Sequence, residues 1–420
     1  MNAVNRIWSI TLSEVLIVTD LIDPTREPTL KLPLPRSCPF DPSPEYARLR
    51  REQPVAPGRM FRRLTWLITR YDDVREALAD PRLSADAMRP EFPLPLMSAF
   101  ENSGLPSFIR MDAPRHDDLR RMVQPDFMVK RVEALRPRIQ ELVDSLIDDM
   151  LKGPKPADLV TAIAGPMPST VICWLLGVPE EDHEFFQDRS TYMFRRGVTQ
   201  KERDSKIREL DDYMYELVDR KTTEPGDDII SRLVVERMNS GQIDRRTVQG
   251  IAFLLLVAGH ETTGNMTALG TLALLEHRDQ FEALGEDPSL APGAVEELLR
   301  YLTILDDPNF RVATEDLEIG GQLIKAGDVV RAATQSANRD PDVFPEPDKL
   351  DIRRGARNHL AFGFGIHQCL GQPLARVELQ VVYETLARRI PTLRLAIPVD
   401  DVPYKNDVEI FGVHQLPVTW

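Results

Sequence analysis

Cysteine is scarce in this chain, with three in 420 residues, at positions 38, 173 and 369. Spread that widely, they offer no disulfide framework and no paired CxxC or HxxxH arms for zinc, and they suit a reducing, cytoplasmic compartment. An excess of positive charge is also missing. Lys and Arg number 52 against 66 Asp and Glu, a formal charge of −14, which would repel a polyanion such as nucleic acid. No apolar run is long enough to span a bilayer. The nearest, residues 7–22, carries Glu14 and lacks a cationic lead or a small-residue cleavage site, so a peripheral arm is expected and not a membrane anchor. Absent too are a glycine-rich dinucleotide loop after a strand and the cysteine sets of iron–sulfur proteins. If this protein does redox chemistry, its electrons come from another protein.

What is present is ordinary globular material, 42% hydrophobic and 28% charged. Residues 1–39 read as an N-terminal arm and a proline-rich lead, and residues 40–420 as one domain without a linker. Short helices are predicted at Glu45–Glu52 and Asp72–Ala79, with strand-like residues at Leu64–Thr69 between them. Prolines 90, 93, 95 and 106 keep residues 81–110 irregular. That loop carries Met88, Phe92, Leu94, Leu96, Met97 and Phe100, as a lid or a pocket wall would. Helical periodicity then dominates from 114 to 303, including an apolar stripe over 131–151. Residues 244–277 form the longest run, with Asp244 as N-cap. It is apolar almost all round from Ile251 to Ala258, so it must lie at the centre of the fold. Strand-like pieces return at 309–335 around the Gly320–Gly321 turn. The expected fold is mainly α with a smaller β-rich subdomain.

The most informative stretch is Phe362-Gly363-Phe364-Gly365-Ile366-His367-Gln368-Cys369-Leu370-Gly371. Gly363 and Gly365 can adopt backbone angles closed to other residues and let the chain approach a flat macrocycle. Gly371 keeps the next turn small, and Pro373 suits the first turn of a following helix. The free N–H groups of that helix would point at the Cys369 sulfur, lowering its pKa and favouring a thiolate able to bind iron. His367 is placed to reach a carboxylate on the macrocycle edge. A buried structural cysteine or a zinc ligand are the other readings of a lone cysteine. The second is weak, since Cys38 and Cys173 are remote. In the central helix Glu261 has no solvated place, so it needs a partner or a proton, while Thr262 beside it can donate and accept hydrogen bonds. The plain alternative is that Glu261 pairs with a nearby cation and Thr262 bonds back to its own helix.

The Cys369 stretch resembles the haem-binding signature of the cytochrome P-450 family. Gly259-His260-Glu261-Thr262-Thr263, Glu297-Leu298-Leu299-Arg300 and His116-Asp117-Asp118-Leu119-Arg120 with Arg311 resemble that family's other parts, in order, and the likeness runs from about residue 40 to the end. The wording is closest to soluble actinobacterial members. The resemblance implies a single triangular-prism domain holding haem b (iron protoporphyrin IX) between the central helix and the helix after the cysteine loop. It implies Cys369 as metal ligand, and His116, Arg120, Arg311 and His367 as partners of the haem propionates. Phe362, Gly363, Gly371, Ala258 and Gly259 would flank the macrocycle, and Thr262 and Glu261 would manage protons during oxygen cleavage.

The family completes its Glu–x–x–Arg pair with a further arginine, and Lys349 stands where that arginine is usual. Either Lys349 substitutes, or Arg353 or Arg354 reaches Glu297. The implied activity is a monooxygenase hydroxylating or epoxidising a mid-sized, largely apolar small molecule. Electrons would come from ferredoxin and ferredoxin reductase, docking on Arg353, Arg354, Arg357 and Arg376, and a monomer is expected. Oxidative phenol or peptide coupling on the same fold and a haem sensor are the rivals. Pocket contributors are expected in the 85–100 loop, at 170–175, 192–198 and Phe253–Ala258, and at Leu302–Phe310. There Asp306-Asp307 read first as two solvated turn carboxylates before Pro308 and, in the alternative, as a pair selecting a cationic or polyhydroxylated substrate.

Overall fold

The fold is built around a helix that has no polar face. In a computed structural model describing residues 30–36, 39–60, 63–93, 107–194, 199–305, 309–405 and 410–420, this central helix spans Arg245–Glu276. Asp244 caps it as expected, its Oδ1 accepting from the Thr247 amide at 2.8 Å. Every residue from Thr247 to Val257 is buried, and each large apolar side chain so removed from water contributes about 2 kcal/mol. The helices Pro166–Leu176, Gln200–Thr223, Ala291–Leu302 and Gln372–Arg389 pack around it. A Cβ at Gly270 would lie 2.0 Å from the Tyr383 hydroxyl. Glycine there lets Tyr383 donate to the Met266 carbonyl at 2.5 Å, which fixes the Gln372–Arg389 helix against the central one.

Some boundaries differ from expectation. The 131–151 stripe is divided into helices Val129–Glu133 and Arg136–Lys152. Pro137 lacks an amide proton and is tolerated only in a first turn, so a new helix starts there. A strand at Ala157–Asp158 interrupts the helical region and pairs near the C-terminus with Pro417–Thr419.

The largest of three sheets among the described residues is six-stranded, and its strands come from distant parts of the chain. With β1 at Leu30–Lys31, β2 at Val55–Met60, β3 at Arg63–Ile68, β4 at Leu83–Ser84, β6 at Phe310–Ala313 and β9 at Val329–Ala332, the order is β1-β2-β3-β9-β6-β4. (β5 is the Ala157–Asp158 strand; β7 and β8, Leu317–Ile319 and Gln322–Ile324, form a hairpin on the Gly320–Gly321 turn.) The proline-rich lead is therefore more than a spacer, since Leu30 and Lys31 pair parallel to Gly58 and Arg59. Strand β6 carries Arg311 from the sheet toward the helical part. Of the apolar residues on the 81–110 loop, Phe92 is buried with Met60, Phe310, Val312 and Val329, and Met88 is exposed. Leu94, Leu96, Met97 and Phe100 fall outside the described residues, as do the 7–22 arm, residues 195–198 and the Asp306-Asp307 pair.

Candidate functional site

The cysteine loop is a tight, internally bonded turn left uncovered on one side. Gly363 and Gly365 take φ of 70° and 75°, and a Cβ on Gly365 would lie 2.5 Å from the Leu78 carbonyl oxygen. Any other residue there would be strained in backbone and blocked in space. The Cys369 amide donates to the Phe362 carbonyl at 2.8 Å, and Gln368 to Gly365 at 3.0 Å. None of the residues from Ala361 to Gly371 is buried, although the core lies on both sides of them in sequence.

Helix Gln372–Arg389 starts where expected, with Gly371 as N-cap and proline in its first turn. The amides of Gly371 and Gln372 donate to the sulfur, and Arg120 and Arg376 add positive charge. Burial outweighs all four and pushes the thiol up. The expected N–H groups are thus present, but a bound cation has to complete the thiolate's stabilisation. Cys369 as a residue is exposed, although burial of its thiol is the largest influence on its ionisation.

A cluster of cationic and imidazole side chains gathers beside the loop. The His116 and His367 rings lie 4.3 Å apart. His116 Nδ1 is 2.7 Å from Asp117, while His116 Nε2 and His367 Nδ1 are buried without a hydrogen-bond partner among the described residues. Burial and the charge of Arg311, then of His116 and Arg120, push His367 down to about 2. Arg311 is 6% exposed. It donates to the Phe310 carbonyl, and burial with neighbouring Arg110 pushes it down to about 10. Arg120 donates to the Gln368 carbonyl at 2.6 Å, touching the loop itself, while Arg121 points outward to Asp118, 72% exposed. Buried donors crowded together and short of acceptors suit a dianion. The expected propionate partners are therefore brought together, and they fit haem.

The central helix opens only opposite its polar segment. Ala258 is exposed, and Gly259, Thr262 and Gly264 are half-buried, in a helix otherwise buried from Thr247 to Leu275. Ile172 packs against Gly259. Phe253–Val257, expected along the pocket, are buried in the core, so Ala258 is the open position of that stretch. Thr262 Oγ1 donates to the Ala258 carbonyl at 2.8 Å. Glu261 Oε1 accepts from Lys405 Nζ at 2.6 Å and from Asn265 Nδ2 at 3.0 Å. Burial pushes the Glu261 carboxyl up, but Lys405 and His260 outweigh it and hold it below the usual carboxylate range. Both local contacts of the plain alternative are present. They leave the Thr262 hydroxyl oxygen free to accept a hydrogen bond from the open side.

Beneath the loop lie two buried ion networks. Glu297 and Arg300, both fully buried, form a bidentate pair at 2.7 and 2.8 Å. The third member is Arg354, whose Nε donates to Glu297 Oε1 at 3.1 Å. Lys349 contributes only its carbonyl, to Arg300 and Arg354. In the second network Arg376 pairs with Glu296 at 2.6 Å and lies over the Phe362 ring, 4.7 Å from its centroid. His359 Nε2 is 3.1 Å from the same carboxylate. Arg354 and Arg376, expected on a docking face, thus serve inside the protein. Arg353 and Arg357 are exposed.

Sequence reasoning missed Glu296, His359 and Lys405. A second glutamate beside Glu297 was a visible signal for the first, whereas nothing local marks Lys405, 144 residues from its partner.

The sequence profile of the Cytochrome P-450 family matches residues 46–418. The chain is 52% identical over 385 residues to Cytochrome P-450-SU2 of Streptomyces griseolus, covering 91% of this chain and 94% of that one. It is 47% identical over 391 residues to the pentalenic acid synthase of Streptomyces avermitilis, covering 92% and 96%. Among solved structures, the mycinamicin VIII C21 methyl hydroxylase MycCI of Micromonospora griseorubida, bound to mycinamicin VIII, superposes with a TM-score of 0.88 at 40% identity. That match spans 93% of this chain and 100% of the other.

Proposed function

The chain belongs to the cytochrome P-450 family, and on that premise we propose that it inserts one oxygen atom into a C–H bond or alkene of a mid-sized, largely apolar small molecule. As a member it is a haem-iron monooxygenase, an oxidoreductase. The substrate class and the residue roles below are our reading of this chain. Among its relatives are a pentalenic acid synthase and a methyl hydroxylase solved with mycinamicin VIII, which supports a tailoring role on secondary metabolites.

When bound, haem b supplies the redox-active iron at which dioxygen is activated. Cys369 would hold the iron through its sulfur, and the Gly371 and Gln372 amides would spread the thiolate's charge. His116, Arg120, Arg311 and His367 would pair with the two propionates, with His116 Nε2 and His367 Nδ1, which lack a partner among the described residues, as donors. Phe362, Gly363 and Gly371 from the cysteine loop, with Ala258 and Gly259 from the central helix, would hold the macrocycle. Thr262 Oγ1 takes and gives hydrogen bonds at the open stretch of the central helix, and Glu261 moves protons toward it. Ferredoxin and ferredoxin reductase supply electrons, consistent with the missing dinucleotide loop. No helix among the described residues is long and apolar enough to cross a membrane, in keeping with a cytoplasmic enzyme.

The observation that carries this reading is the open cysteine loop beside two buried imidazoles that each keep one nitrogen without a hydrogen-bond partner among the described residues. The reduced, carbon-monoxide-treated protein should show the long-wavelength Soret band of sulfur-ligated iron, and Cys369→Ala should abolish it. A band that survives the substitution would refute the ligation. Product mass then separates oxygen insertion, a gain of one oxygen, from coupling, a loss of two hydrogens.

A further inference from the structure

Glu261 is held by a lysine to which the proton relay assigns no part. Lys405 and Glu261 are 14% and 7% exposed, their charged atoms 2.6 Å apart. Asn265, one turn along the central helix, donates to the same carboxylate oxygen. Lys405 belongs to a hairpin near the C-terminus. Its amide donates to the Gly412 carbonyl at 2.8 Å, Tyr404 bridges Val413, and the His414 amide returns to Pro403. This hairpin presses on the central helix, where a Cβ on Gly412 would come within 1.9 Å of Asn265 Oδ1.

The same hairpin is tied to the segment that follows the Ala291–Leu302 helix. The Phe411 amide donates to Ile304 at 2.8 Å, and Ile410 bridges Leu305. Arg36 seals this junction from the N-terminal lead. Its guanidinium lies 4.3 Å from the Phe411 ring centroid and donates to the Leu302 and Thr303 carbonyls. One hairpin therefore grips both the acid of the central helix and the Ile304–Leu305 stretch, part of the pocket wall expected at 302–310.

We propose that Lys405 is a positioning residue for proton delivery, keeping Glu261 ionised and in one orientation and tying that acid, through its hairpin, to the Ile304–Leu305 wall. The inference rests on the proposed relay through Glu261. Its physical basis is that a buried carboxylate without a cation takes up a proton instead. The ionisable groups acting on Glu261 are Lys405 from the hairpin and His260 from its own helix, an imidazole that burial pushes down and so keeps neutral. The other buried ionisable groups among the described residues of the helices packed on the central one are Cys173 on Pro166–Leu176, Glu296, Glu297, Arg300 and Tyr301 on Ala291–Leu302, and Glu378 and Tyr383 on Gln372–Arg389.

The test uses haem-loaded wild type, K405M, K405R, E261Q and K405M/E261Q. Infrared spectra of the resting proteins across pH read the carboxyl without turnover. Burial pushes the Glu378 carboxyl well up, so every variant carries its protonated band. K405M should gain a second such band at neutral pH that wild type and K405R lack and that K405M/E261Q loses. The share of electrons recovered in product should then vary about tenfold over the neutral range in K405M and stay flat in wild type and K405R. Absence of the new band, or its appearance in K405R as well, overturns the proposal. A flat K405M coupling profile does the same. Wild-type coupling in E261Q would strike the relay itself, a result distinguishable from the infrared one. Should K405M not fold, K405Q is the second neutral variant for both readouts.

Discussion

At Glu296, burial pushes the carboxyl up, but His359 and Arg376 prevail and bring it to about 2, from an ordinary value of 4.5. A carboxylate depressed on folding stabilises the folded state above its unfolded pKa, and that contribution is lost as pH falls through the folded value. The window here runs from about pH 4.5 down to about 2. Glu296→Gln should therefore lower stability at neutral pH and flatten its decline across that window, as urea melts at stepped pH would measure. Unchanged acid sensitivity would mean that the pairing is not what depresses the group. Arg376 links this residue to the site, because the guanidinium that holds Glu296 also covers Phe362. At this scale the cysteine, its flanking glycines and the four expected cationic or imidazole residues were legible. Each is a residue type that the chemistry requires at a fixed offset or in a fixed order.

The element most exposed to a single change is the cysteine loop. Gly365 has φ of 75° and faces the Leu78 carbonyl of the preceding Tyr71–Ala79 helix. Gly365→Ala should move the loop off that helix. We expect faster haem loss to an apo-globin acceptor and a lower thermal midpoint, with secondary structure by circular dichroism unchanged. Retention equal to wild type would show that the close approach is not needed. Helices were legible where periodicity was strong, and the central one matched to within a residue at each end. The 131–151 stripe kept its period but not its continuity, because a proline divides a helix without altering which positions face the core. Strands of two to four residues, such as β1 and β4, carry too few alternations to read.

Across the whole molecule, the acidic total conceals a local division of labour among arginines. Arg354 and Arg376 are spent on buried carboxylates, leaving Arg353 and Arg357 exposed near the cysteine side in sequence. Arg357→Glu should slow ferredoxin-driven reduction and shallow its salt dependence while leaving the carbon-monoxide spectrum intact, as stopped-flow traces at several ionic strengths would show. An unaltered rate and salt slope would move the docking face elsewhere. Arg376→Glu is a poor probe of docking, since it would break the Glu296 pair and uncover Phe362.

The sequence by itself determined the glycine-framed cysteine loop, the buried central helix with its polar interruption, and the mainly helical class. Those features rest on short-range patterns, namely residues at fixed offsets and apolar residues at helical period. Only the tertiary structure decided that Arg354 and not Lys349 completes the Glu297–Arg300 group, that the proline-rich lead joins the sheet, and that Lys405 is the cation of Glu261. The partners concerned lie 57 and 144 residues apart. Which side chain reaches across such a distance depends on how helices and strands pack, and no spacing along the chain records that.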